Sequence, residues 1–348
     1  MKLLYIVRRY GPVGGMERYV WELSLKVRDL GLPVTVICQR CYSEIPQGIR
    51  VIELGEVSKR PGWIAALRFS HRVSQWIKKN PQSNTVIHSH ERVRIHHATT
   101  FHGPPFANVI ERPWWKRFSI RVFAQLYLER RELSSAMVIV PNSEIIKEQL
   151  NHYYPEYAYK FTKPVVPGVK AGMQRDARVV PADAGVIGFV GKEWKRKGLP
   201  FAAQIVKELR MTRPNLSFVA VGPEAKSNAQ ELFADWQSGY ELTGWSKLPR
   251  YAEFDVLLHP AIAEPYGMVI TEAMAAGVPV VISDACGAKS EVSAQSGEVL
   301  SLGLSAKQWA DAVNRQLCRI SCPPIFVRDW SAVAEESLSI YSEITSKT

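Results

Sequence analysis

No stretch of this chain approaches the roughly 20 apolar residues that a membrane-spanning helix needs, so the sequence offers no transmembrane segment. Cysteine is scarce, with five in 348 residues: Cys38, Cys41, Cys286, Cys318 and Cys322. The number is odd and no spacing forms a paired metal motif, which argues against a cysteine-held metal. Free thiols in a cytoplasmic protein are the simpler reading. Residues 1–9 hold too short an apolar run for a signal peptide and no small-residue cleavage site, so they read as a first buried strand. Also missing are a His-Glu-x-x-His motif, a Gly-x-Gly-x-x-Gly fingerprint after that strand, a P-loop lysine, and any internal repeat or low-complexity tract. These absences count against zinc and NAD, and no metal or cofactor is expected.

What is present is an ordinary globular composition, 46% hydrophobic and 22% charged. The chain is long for one core, so two domains are expected. Charge is unbalanced: 44 Lys and Arg against 33 Asp and Glu leave a formal +11. That excess favours anionic partners such as nucleic acid, sugar nucleotides or an acidic membrane surface. Between Arg92 and Arg131 basic residues are interleaved with aromatics, among them Arg112, Trp114, Trp115, Lys116, Arg117, Arg121, Arg130 and Arg131. No nucleic-acid signature accompanies them, so nucleic acid is not an expected partner. Two readings stay open: a surface suited to lipid headgroups, or a solvated basic helix whose tryptophans belong to the core.

Strand and helix patterns alternate along the chain. The run 3–7 is continuously apolar, as in a parallel strand buried on both faces. A Gly-rich turn follows, then a helix with apolar Val20, Leu23, Val27 and Leu30, stopped at Gly31. Further strands are expected at 34–38, 85–88, 136–140 and 165–166, and a second series at 186–190, 216–221, 255–259 and 278–282, with helices between, including 198–213 and 271–276. This alternation predicts an α/β fold with a parallel sheet in each half. The pattern breaks between Pro164 and Arg178, which places one domain at 1–165, a second at 166–327 and a terminal helical segment at 328–348.

Four constellations carry chemistry. Glu264 and Glu272 stand eight positions apart in Glu-Pro-Tyr-Gly-Met-Val-Ile-Thr-Glu. The first sits on a loop, and the helix bearing the second starts near Gly267, where free N–H groups suit an anion. A carboxylate on either side of such an anion site fits a phosphorylated sugar; an acidic solvated face is the plainer alternative. In Gly11-Pro12-Val13-Gly14-Gly15, between a strand and a helix, glycines let backbone approach a ligand closely. After the strand ending at Gly191, the loop of Lys192, Lys195, Arg196 and Lys197 leads into a helix, an arrangement suited to a diphosphate. Finally, His88, His90, His96, His97 and His102 crowd a short span without metal-ligand spacing.

These motifs, in this order and spacing from Leu3 to about Leu300, resemble the retaining glycosyltransferases of family 4. The hallmark is the Glu-x7-Glu element with a Pro-aromatic-Gly turn, here with Tyr266 as the aromatic. Ala275-Ala276-Gly277-Val278-Pro279 and Gly287 with Glu291 are similar to further family elements, whereas Val166-Pro167-Gly168-Val169 lacks the family's Asn. The resemblance implies the GT-B architecture: two Rossmann-like doubly wound domains facing a central cleft, the first for acceptor and the second for nucleotide sugar, with the C-terminal helix crossing back onto the first. It implies Glu264 and His102 as catalytic residues. Donor binding falls to Gly14, Gly15, Lys192, Lys197, Gly267, Met268 and Glu272, and His90 lies on the acceptor side. Lys192 stands where relatives mostly have Arg, so it binds as a point charge.

The implied reaction is retaining transfer of a hexose from a UDP- or GDP-sugar to a hydroxyl of a glycolipid or saccharide acceptor. The cations, not a metal, would neutralise the leaving diphosphate. Phe101-His102-Gly103-Pro104-Pro105-Phe106 and the basic-aromatic helix after it resemble bacterial lipopolysaccharide-core transferases. That implies an anionic lipid-linked or saccharide acceptor and a peripheral place on the cytoplasmic face of the inner membrane. The alternatives are a sugar-nucleotide epimerase of the same fold and a non-catalytic basic protein that binds membrane or nucleic acid.

Overall fold

The computed structural model describes residues 1–57, 61–170, 172–224, 228–246 and 250–347. The chain forms two compact units, residues 1–168 with 329–348 and residues 169–328.

In the first unit β1 (Lys2–Ile6) and the short β2 (Arg9–Tyr10) precede α1 (Gly15–Asp29). Then come β3 (Val34–Cys38), β4 (Arg40–Cys41), β5 (Ile49–Glu53), α2 (Gly62–Lys79), β6 (Thr85–Ser89), β7 (Ala98–Phe101), α3 (Ile120–Ser135), β8 (Val138–Pro141) and α4 (Glu144–Tyr153). Six strands form a sheet in the order β5-β3-β1-β6-β7-β8, with every neighbouring pair parallel. Helices cover such a sheet on both faces, which is why central β1 can be apolar at every position from Leu3 to Val7 and buried throughout. The order grows outward from β1 in one direction and then from β6 in the other, so the carboxyl ends of β1 and β6 meet at the switch point, where open α/β sheets bind ligands.

The second unit repeats the plan with β9 (Ala184–Val190), α5 (Leu199–Arg210), β10 (Asn215–Val221), β11 (Tyr240–Gly244), β12 (Val256–His259), α6 (Met268–Ala275), β13 (Val280–Ser283), β14 (Gly297–Leu300) and α7 (Ala306–Leu317). Its sheet order is β11-β10-β9-β12-β13-β14, again all parallel. Its switch point lies between β9 and β12. Phe189, Phe218, Phe233 and Trp309 fill one core of this unit. The capping box of Ser305 and Gln308 starts α7.

The last helix, α8 (Trp330–Lys347), belongs to the first unit. Trp330, Val333, Ala334, Ser337, Tyr341 and Ile344 are all buried, the one-sided spacing of a helix laid on a core. It packs against α1 and β6. Trp330 lies so close to Gly168 that a Cβ there would meet the indole at 2.9 Å. The expected strand at 165–166 does not form. Pro164 and Pro167 remove two ladder donors, and the Val165 N–H reaches the carbonyl of Pro141 at 3.0 Å.

Candidate active site

In the second unit the loops leaving β9 and β12 interlock at the switch point. The Ile262 N–H donates to the Arg196 carbonyl at 2.9 Å, and the Arg196 guanidinium donates to the Ala263 carbonyl. Gly198, at φ +83°, has no room for a Cβ against the Pro260 carbonyl, and a Cβ at Gly191 would strike the Lys197 chain. These two glycines let the cationic loop fold over the end of β12.

Glu264 sits under that fold. Its backbone is clamped to the turn after β13, the N–H on Ala285 O at 3.1 Å and the carbonyl accepting from Gly287 N at 2.9 Å. The residue is 8% exposed. Its Oε2 accepts from Lys197 Nζ at 2.5 Å, with His259 Nε2 at 3.5 Å and Arg196 Nη1 at 3.7 Å. Burial alone would raise this carboxyl; the neighbouring His259 imidazole and Lys197 ammonium outweigh it and hold it at about 2. His259 is fully buried and stacks on Phe189. Burial lowers its pKa, so the ring is neutral at pH 7. Neither ring nitrogen has a hydrogen-bond partner among the described residues, so the 3.5 Å approach to Glu264 is a polar contact rather than a formed bond.

Gly267 caps α6 at φ +98°, a conformation that favours glycine. A Cβ there would press on Ile270 Cδ1 at 2.8 Å and Glu264 Cγ at 3.0 Å. Glu264 is therefore packed against the start of α6, where the Met268 and Val269 N–H groups precede the first helical bond, from Ile270 N to the Gly267 carbonyl at 2.9 Å. Glu272, on α6, accepts from the Tyr251 hydroxyl at 2.6 Å. Lys192 stands apart from Glu264, its ammonium 5.8 Å from the centre of the Trp245 ring.

In the first unit two arginines follow β1. Arg8 Nε donates to Glu91 at 2.8 Å, linking the ends of β1 and β6 across the switch point. Arg9 Nε donates to the buried Glu17 of α1, also at 2.8 Å. With Gln39 and Tyr42 these four line a pocket of about 620 Å³. The Gln39 amide nitrogen is buried without a hydrogen-bond partner among the described residues. Gly14 is the N-cap of α1, where an added Cβ would displace the Glu17 carboxylate. Gly15, by contrast, has open space around its Cβ position. Gly15→Ala should therefore melt at the same temperature or slightly higher, by about 0.4–1 kcal/mol of stability. If a ligand approaches the backbone there, turnover should fall at least tenfold; unchanged turnover rejects a ligand role for Gly15.

The histidines form a buried cluster beside this pocket's sheet. His90 Nδ1 and His102 Nε2 are 2.8 Å apart. His88 bonds Tyr341 at 2.6 Å and Thr100 at 2.8 Å. Burial lowers the pKa of all three, His88 and His102 to about 3, so the cluster is neutral at pH 7. In a neutral pair one ring donates and the other accepts. His90 Nε2 is left buried without a hydrogen-bond partner among the described residues. Among the described residues no group of three or more His, Cys, Asp or Glu is placed to hold a metal ion.

Residues 184–319 match the model of the glycosyl transferases group 1, and residues 13–160 match that of glycosyltransferase family 4. The chain is a glycosyltransferase with a family 4 domain and a group 1 domain. As a glycosyltransferase it is 22% identical to the D-inositol 3-phosphate glycosyltransferase of Corynebacterium urealyticum, over 88% of this chain and 83% of the relative. Its fold is similar to that of WaaG, a glycosyltransferase involved in lipopolysaccharide biosynthesis, with TM-score 0.78, 18% identity and coverage of 99% and 98%. It is also similar to Anabaena HepE, solved in complex with UDP and glucose, with TM-score 0.70, 16% identity and coverage of 99% and 100%. Two parallel-sheet α/β units with this likeness are the GT-B fold.

The glycosyltransferase motifs thus gather in two places. Glu264, Lys197, Gly267 and Met268 come together in the second unit, with Glu272 further along the same helix. His90 and His102 touch one another in the first. Sequence reasoning missed His259, Arg196 as a partner of Glu264, Tyr251, and the Arg8–Glu91 and Arg9–Glu17 pairs. A signal existed for some of them: His259 is the one polar residue closing an apolar strand, and Arg8-Arg9 end the first one.

Proposed function

We propose that this glycosyltransferase moves a hexose, with retention, from a UDP- or GDP-sugar to a hydroxyl of a glycolipid or saccharide acceptor in cell-surface glycan synthesis such as that of the lipopolysaccharide core. The observation that carries the reading is the buried Glu264 joined to Lys197 beside the start of α6, at the switch point of the second sheet. That grouping offers what a nucleoside diphosphate sugar needs. Lys197, Lys192 and the amides at Gly267 and Met268 hold the diphosphate. Glu264 orients sugar hydroxyls and stabilises positive charge developing at the anomeric carbon, and Glu272 binds the ribose hydroxyls. The bond from the anomeric carbon to the phosphate oxygen breaks as the bond to the acceptor oxygen forms on the same face, and the acceptor proton passes to the leaving diphosphate.

The first unit serves the acceptor. His102 contacts sugar, His90 sets its orientation, and Gly14 and Gly15 let the start of α1 approach a phosphate. The Arg8, Arg9, Glu17 and Glu91 pocket supports this, because fixed pairs of guanidinium and carboxylate supply both donors and acceptors to a polyol. The HepE complex with UDP supports a uridine donor, and the likeness to WaaG supports a lipid-linked acceptor at the inner membrane. No helix among the described residues is long and apolar enough to cross a membrane.

A thermal-shift screen with UDP, GDP, ADP and CMP and their sugar conjugates tests the donor. A ligand that binds only the folded chain at 100 times its Kd adds about 2.7 kcal/mol. One nucleotide diphosphate should raise Tm, and Glu272→Ala should abolish that rise. A screen in which no nucleotide moves Tm counts against the donor site.

A further inference from the structure

The tryptophans expected either in the core or at a headgroup surface are not in the core. Trp114, Trp115, Phe118, Ile120, Phe123 and Tyr127 are each between 59% and 77% exposed. They are concentrated in one stretch and group in pairs: the Trp114 and Trp115 rings lie 6.1 Å apart and those of Phe118 and Phe123 6.5 Å apart. Ile120, Phe123 and Tyr127 follow the i, i+3, i+7 spacing that sets them on one stripe of α3. Ser119 caps that helix through Val122 N at 3.2 Å. Large exposed apolar side chains concentrated in this way mark an interaction surface.

Charge selects the partner. Between Arg112 and Tyr127 the chain carries Arg112, Lys116, Arg117 and Arg121 and no Asp or Glu. Aromatic side chains with an apolar body and a polar edge, set among cations only, match the boundary layer of an anionic bilayer. The opposite face of α3 leads inward. Glu129 is fully buried, and its carboxylate accepts from Phe106 N at 2.7 Å, Ala107 N at 3.0 Å, Tyr154 Oη at 2.8 Å and Arg92 Nη2 at 2.8 Å. Glu132, one turn on, accepts from the Thr99 hydroxyl at 2.6 Å. One helix therefore presents the patch and grips both the strand that ends before His102 and the turn that follows it.

We propose that residues 112–127 dock this protein on an anionic lipid bilayer, and that α3 ties the docked surface to the loop carrying His102. The acceptor-side role of that loop rests on the function proposed above; docking itself does not. In the test, the full-length chain is floated with vesicles of phosphatidylcholine alone and of phosphatidylcholine with 30% phosphatidylglycerol, with no sugar nucleotide present. Binding should be confined to the phosphatidylglycerol vesicles, weaken with added salt, and shift tryptophan emission to the blue. Trp114→Ala with Trp115→Ala, and separately Ile120→Ser with Phe123→Ser, should cut partitioning at least tenfold without moving Tm, because these side chains are exposed. Variants that still bind like the parent, or a parent that ignores phosphatidylglycerol at low salt, would overturn the proposal. So would a lipid-free dimer that the same substitutions dissociate, since the patch would then be a protein interface. None of these readouts depends on transferase activity, so failure of the donor reading and failure of docking are separable.

Discussion

Glu264→Gln is expected to lower kcat by about 10²–10³-fold, with a smaller change in the donor KM. The partners of this carboxylate are Lys197, Arg196 and His259, all nitrogen groups. Among them there is no second carboxylate at the spacing of about 5 Å that a covalent two-carboxylate mechanism requires. On the proposed mechanism its task is electrostatic: a negative charge held in place before the reaction, close to where positive charge develops. Glutamine keeps the shape and removes the charge. The substitution also leaves Lys197 without its counter-charge, and breaking a buried ion pair costs about 3–5 kcal/mol. Turnover must therefore be measured well below the variant's own Tm. An unchanged kcat in a folded variant would remove Glu264 from the chemistry. Glu272→Ala should show the opposite split, with KM rising and kcat nearly kept.

Lys197→Met should raise the donor KM by about 10–100-fold, the value of one hydrogen bond to a charged group. It should also change the acid stability of the free protein. The Glu264 carboxyl is lowered from an ordinary value near 4.5 to about 2. A depressed carboxyl adds stability that is complete above its unfolded value and is lost as pH falls toward its folded one. For Glu264 this amounts to about 3 kcal/mol, shed between roughly pH 4.5 and 2. Without the Lys197 ammonium the folded value rises, so acid unfolding followed by circular dichroism should begin at a higher pH. The double variant with Glu264→Gln should be less destabilised than the sum of the singles, because the two residues share one interaction. Additive effects, or an unmoved acid transition, would mean that the pair is not coupled.

The fold was legible where burial is two-sided. Strands β1, β3, β9, β10 and β12 are mostly apolar, with Thr35 and Ser217 the polar residues inside β3 and β10, and stand near the middle of their sheets. β7 was not seen, because Ala98-Thr99-Thr100-Phe101 looks polar; its threonines are buried through bonds to Glu132 and His88 from distant segments. Edge strands β5 and β14 mix charged with apolar residues and carry little signal of their own. In the site, Glu264, Lys197 and Gly267 were readable from the ordered motifs. His259 and the pairs Arg8–Glu91 and Arg9–Glu17 were not, since each depends on which strands become neighbours. The reading of 114–127 stayed open for a physical reason: a helix with aromatics on one side and carboxylates on the other does not say which side faces in. Here the carboxylates do.

The return of the chain at Asp329 has a consequence for biosynthesis. The Val169 N–H bonds the Arg328 carbonyl at 2.8 Å, so the second unit begins and ends at one point and is an insertion within the first. A ribosome delivers every residue of the second unit before it delivers α8. Until then Tyr5, His88 and Tyr19 lack the Tyr341 and Trp330 rings that cover them. The unit that starts first therefore finishes last, and the histidine cluster can close only after the second unit has been completely synthesised.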